Sequence, residues 1–470
     1  MVFSSSIFLF LFLPIFFTIY FLTPDKWRSA VIVLASYIFY AWWRVDFLLL
    51  FFAVTAVNFW LGIKIEQALG DKERKQWLIG GLAVNLATLG YFKYANFGVD
   101  SINTILLAYG MEPLQIGKIL LPIGVSFYIF ESISYLMDVY RREIPATRRF
   151  LDFSAFVALF PHLIAGPILR FKDLSDQFAN RTHTLDKTAE GCARFMQGFI
   201  KKVFIADTIA PLADQAFALE QMTTGDAWLG ALAYTAQLYF DFSGYSDMAI
   251  GLGLMMGFRF MENFNRPYFS QSITEFWQRW HISLSSWLKN YLYFSLGGNR
   301  HGQLKTYRNL FITMLLGGLW HGANWTFIIW GAWQGMWLAI ERALGVKVDA
   351  SKFRPVRWLI TFLLVVIGWV IFRATNVENA MMIYKAMFSF GDFGLSQLYS
   401  INITKQQIFM LVVAYAILVL DFVWSRKPAT TTTYSKKWAY SGAAILLPLF
   451  ALSVLKLASE LYSPFLYFQF

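Results

Sequence analysis

Two histidines stand in strongly apolar stretches of this chain, and their chemistry sets the first hypothesis. His281 lies within Phe276–Leu284, and His321 lies within Leu315–Asn324. Ionisable groups are costly at membrane depth, so an ionisable residue found there is a functional candidate. Histidine is also the side chain best suited to move a proton near neutral pH. The pair therefore predicts proton-transfer chemistry inside a bilayer-embedded fold.

Composition indicates a polytopic membrane protein. The chain has 470 residues, of which 57% are hydrophobic, 19% aromatic and only 15% charged, whereas a soluble domain carries about 25% charged residues. The formal net charge of +11 would suit a nucleic-acid binder. We reject that class because the Lys and Arg residues form short clusters between apolar runs, as the positive-inside rule predicts. The length suits one integral membrane domain over residues 1–470.

Several kinds of site are excluded or disfavoured by residue type. A single cysteine, Cys192, allows no intramolecular disulfide and makes a thiol nucleophile or a cysteine-based metal site improbable. We find no zinc-binding motif, nucleotide-binding loop or serine-nucleophile elbow. We therefore predict no metal and no tightly bound cofactor. The first apolar run lacks a basic region before it and a cleavage site, so we expect an uncleaved first helix.

Apolar runs of spanning or near-spanning length predict an all-α fold. A transmembrane helix needs roughly 20 residues, and several runs are shorter, so we expect about 11 spans plus re-entrant segments around a central tunnel. The runs are Ile7–Leu22, Ala30–Trp43, Phe47–Ile63, Leu78–Phe92, Ile119–Met137, Phe150–Leu169, Phe195–Ala218, Trp228–Phe240, Met248–Phe258, Leu310–Leu319, Phe327–Ile340, Trp358–Phe372, Ile408–Val423 and Tyr440–Leu457. A polar stretch at Ala429–Thr433 predicts a final loop.

Basic residues alternate between the early loops and predict the orientation. They follow the first, third and fifth apolar helices, at Lys26 and Arg28, at Lys64, Lys72, Arg74 and Lys75, and at Arg141, Arg142, Arg148 and Arg149. Because cytoplasmic loops carry an excess of Lys and Arg, these loops should face the cytoplasm and Met1 the opposite side. The alternation is unclear beyond Arg170, and the prediction stops there.

Polar residues concentrate in a central region, at about residues 237–335. Asp241, Ser243, Tyr245 and Asp247 interrupt apolar sequence, and Arg259 and Glu262 follow. Buried charges are tolerated only when they are paired. Two hypotheses stay open: these charges form an ion-pair network that holds broken helices together, or some of them, Asp241 above all, line the tunnel.

His321 is the sharper of the two candidates. Gly317, Gly318 and Gly322 surround it, so backbone or substrate can approach closely. Asn324 would share its helical face if the helix continues, and could orient the imidazole. Burial favours the neutral ring that a general base requires. The alternative is a satisfied core histidine, or helix packing through small residues (Gly318 to Gly322, Gly331 to Gly335).

His281 and His162 each allow more than one role. His281 lies beside Trp277 and Trp280, so it could be a second catalytic group, an orienting partner, or an interface residue among tryptophans at headgroup depth. His162 is followed by Gly166 and Pro167, which break a helix. It could line a cavity, although a core role is favoured.

Four segments together resemble the membrane-bound O-acyltransferase family. They are Leu238–Gly251, Asn263–Tyr268, Glu275–Trp287 and Leu319–Trp325. The match also includes Met1–Phe17, Tyr40–Phe47, Gly90–Gly98 and Leu121–Tyr140, and is similar to the bacterial alginate O-acetyltransferase branch over about residues 1–375. The chain departs from the family pattern at Lys289-Asn290-Tyr291, where the family has Arg-Asp-Tyr, so no carboxylate is nominated there.

The resemblance implies an inner-membrane acetyltransferase that serves alginate modification. The family's histidines fall on His321 and His281, which are thus the expected catalytic residues, with acetyl-CoA as the expected donor substrate. Asn324, Trp320 and Ser283 are candidate donors to the thioester oxygen. Expected partners are a periplasmic acetyltransferase or carrier protein of a polysaccharide-modifying complex, and membrane lipid. A transporter with a histidine-lined path, or an assembly scaffold, fits the composition equally well.

Overall fold

Every element of the described chain is helical. The computed structural model describes residues 1–349, 352–425 and 436–459, and no strand occurs in these ranges. The predicted all-α class is therefore confirmed for the described chain. The loop predicted at Ala429–Thr433 lies outside the described residues.

The chain divides into two compact units, of which the first comprises Met1–Thr188 and Leu252–Met261. Phe160 lies at the centre of an aromatic cluster in this unit, with the rings of Phe12 and Phe16 at 5.3 and 5.1 Å between centroids. The helical segments of this unit are Phe8–Phe12, Leu13–Leu22, Asp25–Trp27, Arg28–Ala41, Phe47–Gln67, Asp71–Leu89, Gly90–Tyr94, Ala95–Ala108, Val125–Tyr140, Phe150–Ala158 and Phe171–Ala179.

The second unit comprises Ala189–Gly251 and the described residues from Glu262 onward, and it contains both candidate histidines. Helix Leu185–Phe199 leads into it. The helical segments that follow are Ile200–Ala206, Asp207–Phe217, Thr224–Met255, Pro267–Phe269, Ile273–Arg279, Ile282–Trp287, Leu288–Tyr293, Gln303–His321, Trp325–Ala343, Pro355–Arg373, Val377–Ser389, Gln397–Asn402, Lys405–Ser425 and Lys436–Ser459.

The sequence prediction broke one long helix into two. The runs Trp228–Phe240 and Met248–Phe258 were expected as separate pieces, but Thr224–Met255 forms a single helix of 32 residues. The polar residues between the runs do not break it because their charges find partners: Lys202 pairs with Asp241, and Lys201 pairs with Asp247. A buried carboxylate that is paired with a lysine of another helical segment can be accommodated within a continuous helix.

Three helices are long and apolar enough to cross a membrane by length and composition. They are Phe47–Gln67, Pro355–Arg373 and Lys405–Trp424, and the shorter apolar helices are Phe8–Leu22 and Ala444–Ser459. This criterion covers only the residues that the structure describes. It identifies fewer spans than the sequence predicts, so the larger number stays a prediction.

Glycines bring the helix that ends in His321 against the next helix. Gln303–His321 and Trp325–Ala343 form a hairpin with only three residues between them. A Cβ at Gly318 would lie 2.2 Å from the Phe327 carbonyl oxygen, and one at Gly331 would lie 2.5 Å from the Met314 carbonyl oxygen. The close packing predicted for small residues here is thus present. It fixes the position of the helix that carries His321.

We predict that Gly331→Ala destabilises the protein, because its methyl group would meet backbone rather than a side chain that can move away. Overpacking of this kind costs about 1–3 kcal/mol, and thermal melting in nanodiscs measures it. Gly80→Ala is the matched control, since a Cβ at this helical glycine meets nothing within 4 Å. Equal melting temperatures for the two variants would contradict the close packing.

Candidate active site

His321 lies at the last position of helix Gln303–His321, within a cage of aromatic rings. Its ring centroid is 5.1 Å from that of Trp320, 5.2 Å from that of Trp330 and 5.3 Å from that of Phe372. The residue is buried, with 6% of its surface exposed. His321 therefore stands at a helix end and is enclosed by aromatic side chains.

His281 occupies a sharp break between the short helices Ile273–Arg279 and Ile282–Trp287. Its backbone is left-handed, with φ of 44°, a conformation that costs energy for a residue with a side chain and persists only where the surroundings enforce it. Two backbone hydrogen bonds do so: Ile282 N donates to Asn263 O at 2.9 Å, and Asn265 N donates to Arg279 O at 2.9 Å. The break places the fully buried His281 ring in a fixed position.

The two histidines, forty residues apart in sequence, come together in the fold. Their ring centroids are 6.5 Å apart, and the Trp320 ring lies 6.2 Å from that of His281. This separation allows both imidazoles to contact one small reacting group. The structure therefore assembles three of the sequence-predicted site residues at one place in the second unit.

Asn263 connects His281 to a buried polar network that includes Ser283. His281 Nδ1 is 3.1 Å from Asn263 Oδ1 and 3.3 Å from the Ser283 hydroxyl. The Ser283 hydroxyl donates to Asn263 Oδ1 at 2.9 Å, and Asn263 Nδ2 donates to Ser246 Oγ at 3.0 Å. Sequence reasoning nominated Ser283 but not Asn263. The available signal was its place in the Asn263–Tyr268 segment, directly after a helix rich in polar residues.

Asn324 does not share a continuous helix with His321. The helix ends at His321, and Asn324 begins the next one, where its Oδ1 accepts from Thr326 N at 3.0 Å. Its Nδ2 donates to Thr375 O at 3.2 Å. The helical-face relation to His321 required a continuous helix, and it does not hold because the helix ends before Gly322. The amide group acts as a helix cap.

Asp241 belongs to a buried ion-pair network. Lys202 Nζ lies 2.9 Å from an oxygen of Asp241 and 2.5 Å from one of Asp207, and both Lys202 and Asp241 are almost fully buried. Nearby, Asp247 pairs with Arg194 and Lys201 at 2.7 and 2.6 Å. These contacts favour the network hypothesis for the central charges over a tunnel-lining role for Asp241.

His162 is a buried core residue of the first unit with a carboxylate partner. Its Nδ1 lies 2.8 Å from Glu131 Oε1, and its Nε2 is 3.1 Å from Phe156 O. Both side chains are fully buried, which fits the favoured core role. Sequence reasoning missed Glu131, because only the fold brings it to His162.

The comparisons with known proteins place the chain in one family. A family model described as MBOAT, membrane-bound O-acyltransferase family, matches residues 32–384. The chain therefore belongs to the membrane-bound O-acyltransferase family, and it is a membrane-embedded acyltransferase. The predicted enzyme class is confirmed, and the transporter and scaffold alternatives are set aside.

Full-length relatives narrow the resemblance to one branch. The chain is 64% identical to the probable alginate O-acetylase AlgI of Pseudomonas putida and 60% identical to that of Pseudomonas aeruginosa, each over 100% of both chains. It is 35% identical to the peptidoglycan O-acetyltransferase of Helicobacter pylori, over 100% of this chain and 98% of the relative. The predicted resemblance to alginate O-acetyltransferases is confirmed.

We predict that Asp241→Asn lowers stability more than it changes the chemistry. Removing one member of a buried ion pair leaves its partner uncompensated, at a cost of up to about 3–5 kcal/mol, although Asp207 still contacts Lys202. Thermal melting and activity per folded protein separate the two effects, with the exposed Asp176→Asn as control. Unchanged melting with lost activity would instead make Asp241 a substrate-facing residue.

Proposed function

We propose that this acyltransferase moves an acetyl group from cytoplasmic acetyl-CoA across the inner membrane for O-acetylation of alginate or a similar exopolysaccharide. The observation that carries the proposal is the 58–64% identity, along the whole chain, to five proteins each named as a probable alginate O-acetylase. The more distant relatives named for peptidoglycan and teichoic acid modification transfer other groups or serve other polymers, which favours alginate here.

The histidine pair supplies general-base catalysis in this proposal. His321 takes the proton of an attacking hydroxyl while the hydroxyl oxygen bonds to the thioester carbonyl carbon. The carbon–sulfur bond then breaks, and the CoA thiolate recovers the proton from the imidazolium. His281 assists at 6.5 Å between ring centroids. A positioned base of this kind contributes about 10²–10⁴-fold to the rate.

Trp320 is the preferred donor to the thioester oxygen among the three candidates. Its ring lies beside both imidazoles, and its indole N–H is a hydrogen-bond donor. The Asn324 amide already donates to Thr375 O, and the Ser283 hydroxyl already donates to Asn263. A preorganised donor acts on the charge that develops in the transition state.

The membrane arrangement that suits this transfer is the one predicted from sequence. About 11 spans and re-entrant segments would enclose a tunnel, with Met1 on the periplasmic side and the basic loops in the cytoplasm. The basic loops would attract the anionic acetyl-CoA. The immediate acceptor would be a periplasmic acetyltransferase or carrier protein of the polysaccharide-modifying complex, with membrane lipid around the protein.

We predict that purified protein in lipid nanodiscs releases CoA from labelled acetyl-CoA, with water as a slow acceptor, and that His321→Ala lowers this rate at least about 10²-fold. His301→Ala is the matched control, because this histidine lies exposed on the surface. Thermal melting confirms that each variant is folded.

Two results would contradict the proposal. Equal rates for the wild type and a folded His321→Ala variant would make His321 structural. A wild type that binds acetyl-CoA but never releases CoA, even with a periplasmic partner added, would remove acetyl-CoA as the donor.

A further inference from the structure

We infer that Asn263 is a positioning residue that fixes the proton of His281 on Nδ1, so that Nε2 presents its lone pair to the histidine site as a hydrogen-bond acceptor. This inference rests on the proposed function, and it identifies Nε2 as the atom through which His281 assists the reaction. It depends on which groups around His281 can donate a hydrogen bond and which can only accept one.

The orientation of the Asn263 amide follows from a backbone donor. Ser283 N lies 3.2 Å from the side-chain atom assigned as Asn263 Oδ1. A backbone N–H can only donate, so the atom that faces it must be the amide oxygen. The other end of the amide is then the NH₂ group, which donates to Ser246 Oγ at 3.0 Å.

The same oxygen decides the tautomer of His281. Asn263 Oδ1 has no hydrogen and lies 3.1 Å from His281 Nδ1, so the hydrogen between them must belong to the imidazole. A neutral imidazole carries only one N–H, and a hydrogen on Nδ1 leaves Nε2 as the acceptor. The hydrogen bond that Nδ1 makes thereby determines that Nε2 is the acceptor.

His281 Nε2 is buried and has no hydrogen-bond partner among the residues that the structure describes. A buried acceptor without a partner is unfavourable, and a ligand that donates a hydrogen bond would complete it. The surrounding rings of Phe242, Trp320 and His321, at 4.7, 6.2 and 6.5 Å between centroids, place the His281 imidazole within the histidine site. With water as the acceptor, one O–H group can donate to this nitrogen while His321 takes the proton of the other.

The test compares Asn263→Ala, Asn263→Asp and Asn299→Ala by the pH dependence of CoA release, with water as the acceptor. Asn263→Ala removes the group that holds Nδ1–H, so kcat/KM should fall about 10- to 100-fold, a part of the contribution of a positioned base. Asn299→Ala is the matched control, since this asparagine is exposed and has no part in the site. It should behave as the wild type.

Asn263→Asp supplies the readout that a merely structural role would not move. A carboxylate can still accept from Nδ1–H and from the Ser246 hydroxyl, so the fold and much of the activity should be retained. Its negative charge stabilises the imidazolium form, and a protonated His281 cannot accept a hydrogen bond. The acidic limb of the kcat/KM profile should therefore move to higher pH.

Failure of this inference is distinguishable from failure of the proposed function. If the wild type releases CoA, and a folded Asn263→Ala variant keeps its rate, or Asn263→Asp keeps the wild-type pH profile, Asn263 does not act through His281. If Asn263→Ala fails to fold, the Asp profile decides. A wild type that releases no CoA contradicts the proposed function itself.

A second, independent observation concerns the segment Phe388–Ile401, whose backbone is fixed to the fold while several large apolar side chains are exposed. Its backbone is fastened to the start of helix Thr224–Met255: Thr224 N donates to Asp392 O at 2.9 Å, and Ser396 N donates to Asp226 Oδ1 at 3.0 Å. Its apolar side chains remain exposed, namely Phe390 at 66%, Phe393 at 65%, Leu398 at 64% and Ile401 at 72%.

The geometry points to a membrane-surface anchor, with lipid as the occupant of this apolar side. The segment is followed within a few residues by Lys405–Trp424, which is long and apolar enough to span a membrane, so it lies where that span meets the interface. Aromatic side chains are favoured at this depth. A short helix, Gln397–Asn402, presents Leu398 and Ile401 on one side and Ser400 on another.

Spin labels at single cysteines test the anchor. In a Cys192→Ser background, a label at Leu398 in nanodiscs should collide several-fold more often with oxygen than with a water-soluble nickel chelate, while a label at Ser400 should show a lower ratio. Equal, water-like values at both positions would overturn the anchor. A Leu398 label that neither reagent reaches would indicate a protein partner or a second copy instead.

Discussion

The contact between Asn263 and the chain break at His281 is the constraint on which the candidate site depends. Two backbone hydrogen bonds, one with Asn263 and one with Asn265, hold residues 279–283 in a conformation that a histidine would not otherwise adopt. The side-chain amide of Asn263 adds a contact with the imidazole. Without them, the left-handed backbone at His281 would relax, and the imidazole would lose its place beside His321. The left-handed backbone carries a local strain of about 1–3 kcal/mol, and several surrounding hydrogen bonds offset it, as is common at functional sites.

Close helix packing supplies the other half of the site. His321 is held at a helix end because Gly318 and Gly331 let two helices meet with no side chain between them. The aromatic rings of Trp330 and Phe372 then close around the imidazole. Such packing matters more in a bilayer than in water, since lipid gives helices no hydrophobic reason to associate. A rigid, apolar cage with few polar groups makes each remaining polar contact strong.

Residue type and membrane depth predicted which residues form the site better than they predicted how those residues are arranged. His281 and His321 could be singled out because ionisable groups are rare in such apolar sequence, and the all-α class followed from the apolar runs. The relation of Asn324 to His321 depended on whether the helix continued, and only the structure shows that it ends before Gly322. The unbroken helix Thr224–Met255 was missed because its charges are neutralised by Lys201 and Lys202, on a distant part of the sequence. Partners of this kind, like Glu131 for His162, are set by the fold and leave no local pattern.

The most direct test of the account is a cryo-EM structure of the protein in nanodiscs with a non-hydrolysable thioether analogue of acetyl-CoA. The account predicts that the carbonyl carbon of the analogue lies within about 3–4 Å of the space between the two imidazoles, as a near-attack arrangement requires. It also predicts that His281 Nδ1 remains against Asn263. An analogue bound elsewhere in the protein, with the histidine pair unchanged and out of reach, would contradict the claim that these residues carry the acyl transfer.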